Sequence, residues 1–137
     1  MNRSIVITET DMKKLEALVN DSRLSGKLDR RHLDELEEEL NRAKVTTSKS
    51  VPRDVVTMHS RVRVTDLQSG KELVYQIVFP READISKGKI SVLAPVGTAL
   101  LGYAVGSEIE WTVPSGTRRF RIDAIEYQPE ADRLAAV

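Results

Sequence analysis

A chain of 137 residues has room for one ordinary domain, or for a small core domain with an appendage. Its 21 basic and 21 acidic residues cancel, with no basic excess in either half for wrapping nucleic acid, and the lack of cysteine excludes disulfides, thiol catalysis and thiolate zinc sites. No apolar run approaches a signal-peptide core or a membrane span, so a soluble, cytoplasmic chain is expected.

Ser4 to Ile7 favours an extended segment, either a short strand or a packed arm. Thr8 can cap a helix with Asp11 in its positive first turn, and Met12, Leu15, Leu18 and Val19 recur at spacings of three and four. About three helical turns are expected there. Asn20 to Asp29 collects turn formers, with Gly26 as the breaker and Asp29 as a cap for a second helix. Leu33, Leu36, Leu40 and Ala43 then form an a/d seam, so the two helices are expected to pair as a short antiparallel hairpin of coiled-coil type. At 1.5 Å per residue, a helix of roughly 15 residues reaches about 22 Å. Residues 1–47 are assigned to this hairpin, and 48–51, closed by Pro52, to a hinge or linker.

After Pro52 the period changes from helical to alternating. Val56, Met58, Val62 and Val64 share one parity; Ser69-Gly70 turns the chain into Leu73, Tyr75, Ile77 and Phe79, giving a β-hairpin. Ile90 to Leu93 predicts a strand that Pro95 ends, Val96 to Leu101 a short helix, and Gly102 its left-handed stop. Ile109, Trp111 and Val113 form a further strand, Pro114-Ser-Gly116 a turn, and Phe120 and Ile122 the next strand. The parity shift between Ile122 and Ile125 predicts a bulge. From Gln128 onward a polar tail is expected. The fold class is α+β: the helical hairpin, then residues 52–137 as an antiparallel sheet of about five strands covered by one short helix.

Chemistry is sparse. His32, on the second helix, and His59, placed on a strand, stand apart from any ligand-like spacing, and the common phosphate-binding and nucleophile motifs are missing. Neither a catalytic nor a metal residue is assigned, and no cofactor or small-molecule substrate is expected. The run Asp34-Glu35 and Glu37-Glu38-Glu39 reads as a solvated helix face within reach of Arg42. Arg118, Arg119 and Arg121 read as a sheet surface that an acidic partner or nucleic acid could also touch. At the hairpin tip, Asp21 and Asp29 are paired carboxylates that a magnesium ion could use, but Arg23 and Lys27 lie between them, and caps or turns explain both acids more simply.

Pro52-Arg-Asp-Val-Val-Thr-Met-His-Ser-Arg-Val62, Val92-Leu-Ala-Pro-Val-Gly-Thr-Ala-Leu-Leu-Gly102 and Glu126-Tyr-Gln-Pro-Glu130 together resemble the regulators of nucleoside diphosphate kinase, bacterial relatives of the Gre transcript-cleavage factors. Glu82-Ala-Asp-Ile85 with Ile90-Ser-Val92 resembles the broader Gre C-terminal domain. The resemblance implies a coiled-coil hairpin on an FKBP-like domain that docks at the rim of the RNA polymerase secondary channel, with an acidic pair at the Gre tip that positions a catalytic metal. Here the hairpin is shorter and its tip is of mixed charge, and Leu93-Ala94 precede Pro95 where Gre factors carry a polar residue and serine.

The resulting expectation is a regulator that binds RNA polymerase, competes with Gre factors and does not cleave transcripts, with any effect on nucleoside diphosphate kinase indirect. Glu82, Asp84, Leu93, Ala94, Pro95 and Val96 are the candidate polymerase contacts, and no stable independent binding to nucleic acid or membrane is expected. The alternatives are a cleavage factor that delivers magnesium from the tip and, from the shared fold, a peptidyl-prolyl isomerase, for whose aromatic-lined pocket six aromatic residues are few.

Overall fold

The computed structural model describes residues 5–26, 30–113 and 116–135. Two α-helices and a small two-stranded sheet precede a five-stranded sheet, and a single apolar cluster runs through both parts, from Ile5, Leu15 and Leu36 to Val62, Leu100 and Ile122.

β1 (Val6–Thr8) leads directly into α1 (Glu9–Ser25). Thr8 caps the helix as its sequence predicts, its Oγ1 accepting the Asp11 N–H at 3.1 Å. The helix is longer than expected: Asn20 to Ser25, read as turn, are helical, and Gly26 ends the helix at φ 65°. α2 (Arg30–Arg42) returns along α1 and buries Leu33, Leu36 and Leu40 in the seam. The chain then forms β2 (Lys44–Thr46), which pairs in parallel with β1; the sequence offered no sign of this strand. Three-residue strands are held by their surroundings more than by propensity. Here the Lys44 N–H donates to the Ile5 carbonyl at 2.8 Å and the Val6 N–H to the Gly102 carbonyl at 3.1 Å.

The larger sheet has the order β5-β4-β3-β7-β6, built from β3 (Arg61–Asp66), β4 (Glu72–Val78), β5 (Lys89–Ser91), β6 (Glu108–Val113) and β7 (Gly116–Tyr127). The predicted hairpin is present as β3 and β4, but it starts at Arg61: Val56 and Met58 are buried in a non-strand segment, and His59 lies in a turn with φ 69° rather than on a strand. The sheet is not wholly antiparallel either. β5 pairs in parallel with β4, because two 3-10 turns (Pro80–Glu82 and Ile85–Lys87) fold the connection back and start β5 beside Gln76. β7 carries the predicted bulge: Arg63 faces Ala124 and Val64 faces Ile122, leaving Asp123 unmatched.

α3 (Pro95–Leu100) has Pro95 in its first turn, and Gly102 follows at φ 84°. The C-terminal segment is no tail. α4 (Pro129–Ala135) is a further helix, and Gln128, just before it, and Glu130, within it, are buried where they hydrogen-bond the segment before β3. Lys27, Asp29, Pro114 and Ser115 lie outside the described residues.

Candidate functional site

Local bonds build the proline corner. The Leu93 N–H donates to Ser91 Oγ at 3.0 Å and the Ala94 N–H to the Ser91 carbonyl at 3.0 Å, which turns the chain out of β5. Thr98 Oγ1 donates to the Val92 carbonyl at 2.6 Å and pins α3 onto that turn. Contact is so close at Gly97 that a Cβ there would sit 2.2 Å from the Ser91 carbonyl oxygen. Ile90, Val92, Leu100 and Leu101 are core, as expected. Of the candidate contacts, Ala94, Pro95 and Val96 are half-buried and offer some surface, whereas Leu93 is 6% exposed. Leu93 is therefore a core residue: the turn that exposes Pro95 tucks its neighbour inward.

β5 connects this corner to the loop that bears Glu82 and Asp84. Glu82 Oε1 lies 2.9 Å from His59 Nε2 and accepts the Phe79 N–H at 3.3 Å. The hydrogen bond from His59 and the Phe79 N–H hold the Glu82 carboxyl below the usual carboxylate range. Asp84 Oδ1 accepts from the Ser86 N–H and hydroxyl at 3.1 and 2.5 Å, and Asp84 exchanges backbone bonds with Lys89. Both acids thus spend much of their bonding capacity shaping the loop. Its outward feature is Ile85, 86% exposed at the start of the second turn. Sequence reasoning placed Ile85 within the motif but not among the contacts; an isoleucine in a polar loop was the available signal.

At the hairpin tip, Arg23 donates to Asp34 Oδ1 at 2.7 Å and Glu37 Oε1 at 2.9 Å, so it clasps the two helices. Asp21 is exposed. No three His, Asp or Glu side chains gather as a metal site among the described residues. The arginine cluster is largely paired: Arg119 with Glu108 at 2.9 Å, Arg121 with Asp123 at 2.8 Å, and Arg118 with Asp66. As expected, Arg42 pairs with Glu39, at 2.6 Å.

Three runs distant in sequence meet behind the corner. Val56 and Gly102–Tyr103 exchange backbone bonds, the Gly102 N–H donating to the Val56 carbonyl at 2.8 Å and the Val56 N–H to the Tyr103 carbonyl at 2.9 Å. Gln128 Nε2 donates to the carbonyls of Pro52 and Val55, each at 2.8 Å, and Thr57 Oγ1 donates to Glu130 at 2.7 Å. Asp11 reaches the same segment from α1, its Oδ2 accepting the Met58 N–H at 3.1 Å. Burial pushes the Asp11 carboxyl up, against the Met58 bond and with the Glu130 charge.

Residues 51–127, which hold most of this knot but neither Asp11 nor Gln128 and Glu130, match the family described as transcription elongation factor GreA/GreB, C-terminal, and residues 3–45 match the Rnk N-terminus. The chain is 37% identical to the regulator of nucleoside diphosphate kinase of Escherichia coli K12 over 129 residues, 93% of each chain. It belongs to that family. A solved structure, a prokaryotic transcription elongation factor GreA/GreB from Nitrosomonas europaea, is 42% identical, with a TM-score of 0.74, over 92% of this chain and all of that one. The transcription elongation factor GreA of Acetivibrio thermocellus is 43% identical over 88 residues, but only 55% of its length is matched. The family places this chain among transcription-related regulators of the GreA/GreB group. Among the described residues, no helix is long and apolar enough to cross a membrane.

Proposed function

We propose that this member of the family binds RNA polymerase, with residues 52–137 as an FKBP-like docking unit at the rim of the secondary channel and residues 1–47 as a short coiled-coil hairpin directed inward. It competes there with Gre factors and does not promote transcript cleavage. The observation that carries this reading is a GreA/GreB C-terminal match over 51–127 joined to a hairpin whose first helix ends at Ser25. Its 17 residues span about 26 Å, and the arginine near its end already holds Asp34 and Glu37. Ala94, Pro95 and Val96 with the Ile85 loop form the docking edge, which Glu82 and Asp84 hold in shape.

Retention on immobilised core polymerase, displacement by excess GreA and unchanged transcripts in backtracked complexes are the expected results. Ile85→Asp leaves folding intact, since the side chain is exposed, and weakens retention about tenfold. Failure of core polymerase to retain the wild-type protein, or of GreA to displace it, overturns the docking. Transcript shortening that Asp21→Ala abolishes puts a cleavage factor in its place.

A further inference from the structure

α2 turns its leucines onto α1, and its other stripe faces the sheet. Glu35, Glu38 and Glu39 line one wall of an open cleft of about 510 Å³. The opposite wall is β6, through Glu108, Ile109, Glu110 and Trp111, and Pro95 and Ala99 of α3 add apolar surface between them.

Two observations point to the same occupant. The first is charge. Segments some seventy residues apart bring carboxylates to facing walls; those of β6 and Glu39 have arginine partners, which leaves the α2 wall with a surplus of negative charge. Arg42 answers Glu39, and Arg119 answers Glu108 and, more distantly, Glu110. The side chains of Glu35 and Glu38 make no hydrogen bond or ion pair with any described residue. The second is backbone. β6 is the edge strand of its sheet, and the cleft touches four consecutive residues of it. Successive side chains point to opposite faces, so a cleft that meets all four runs along the strand's edge. Ile109, Glu110 and Trp111 hydrogen-bond through the backbone only to β7 among the described residues. An edge of this kind accepts a further strand. Its glutamates oppose a second copy of the same edge and favour a basic chain.

We propose that this cleft docks an extended, lysine- or arginine-bearing segment of a partner protein, which adds to β6 as a sixth strand and sets its basic side chains against Glu35 and Glu38. Alternate apolar residues of that segment rest on Trp111 and Ala99. The groove shares Pro95 with the polymerase-docking edge but depends on no partner assigned to that edge.

A short blocked peptide of alternating lysine and valine is the probe, and the single tryptophan, Trp111, is the reporter on the intact protein. Saturable binding is expected, weakening with salt and falling about tenfold in Glu35→Gln/Glu38→Gln. Both glutamates are exposed and unpaired, so the double variant keeps its fold, which circular dichroism checks. The same peptide with alternate backbone amides methylated keeps its charge but loses binding. Equal affinity for the double variant, or undiminished binding of the methylated peptide, overturns the proposal. So do binding of spermine without the peptide, which makes the cleft a small-cation site, and a dimer on size exclusion whose interface is β6.

Discussion

Gly102 is where the hairpin's first strand meets the sheet, and its replacement measures how tightly the two are joined. The residue sits at φ 84°, and a Cβ on it would lie 2.7 Å from Ile5 Cβ and 3.2 Å from the Val6 carbonyl oxygen. Gly102→Ala therefore carries two costs. Left-handed backbone costs an alanine about 1–2 kcal/mol. The overlap with Ile5, fully buried at the start of the described chain, adds about 1–3 kcal/mol, because β1 must move and the Val6 N–H bond to Gly102 with it. Gly26→Ala separates the terms: its φ is 65° and nothing lies within 4 Å of the added methyl, so only the backbone cost applies. Urea unfolding followed by Trp111 fluorescence measures both, Trp111 being packed edge-on against Phe120 at 4.6 Å. Gly102→Ala should lose at least about 1 kcal/mol more than Gly26→Ala. Equal losses would refute the close seating of β1 on the α3 terminus.

Asp11 should make stability fall with rising pH. Its carboxyl is raised in the folded chain, so the native state holds that proton more tightly than the unfolded state; the ionised form costs stability at neutral pH, and the cost fades as pH falls through the raised native value. Asp11→Asn keeps an acceptor for the Met58 N–H, so unfolding free energies should favour it at pH 7 by a margin that shrinks in acid; a margin independent of pH would count against the burial argument. Asp66 runs the other way. Burial raises its carboxyl, but the N–H groups of Gln68 and Ser69 and the charge of Arg118 outweigh this and lower it, so its contribution is present above the unfolded carboxylate range and lost in acid. By thermal melting, Asp66→Ala, which loses its turn bonds, should lower stability more than Arg118→Ala, which loses only a half-exposed ion pair; the reverse order would show that the arginine, not the turn, holds the acid in place.

Features with a local cause were legible in the sequence. The leucine seam of α2, the Thr8 cap, the Pro95 turn with its Gly102 stop and the bulge near Ile122 each follow from a spacing or a backbone restriction within a few residues. Features with a distant cause were not. Asn20 to Ser25 contains weak helix formers, yet Ser22 is buried and Arg23 is clasped by Asp34 and Glu37, and those contacts carry α1 onward. Gln128 and Glu130 look like tail residues until their partners, the Pro52 and Val55 carbonyls and the Thr57 hydroxyl, are in place. At the candidate site the split is the same. The run Leu93 to Val96 was readable as a corner, but which of its side chains faces out depends on bonds to Ser91 and on the core beneath. The acidic stripe of α2 was readable as polar, but nothing in it announced β6 across the cleft.

The runs that carry the family resemblance, those around Asp54–Met58, Ala94–Gly102 and Glu126–Glu130, converge on one another and expose little chemistry. The part they build is thus a joint. Val51 is buried, the Ser50 and Val51 N–H groups both donate to the Thr47 carbonyl, and Asp11 and Val6 tie the helical hairpin to the same joint. The apolar cluster is continuous from Leu15 to Ile122, so the hairpin and the sheet share one core. The length of α1 and the seating of β1 bear directly on the reach of the tip. In the docking proposed above, such a joint holds the tip at a fixed distance from the anchored sheet.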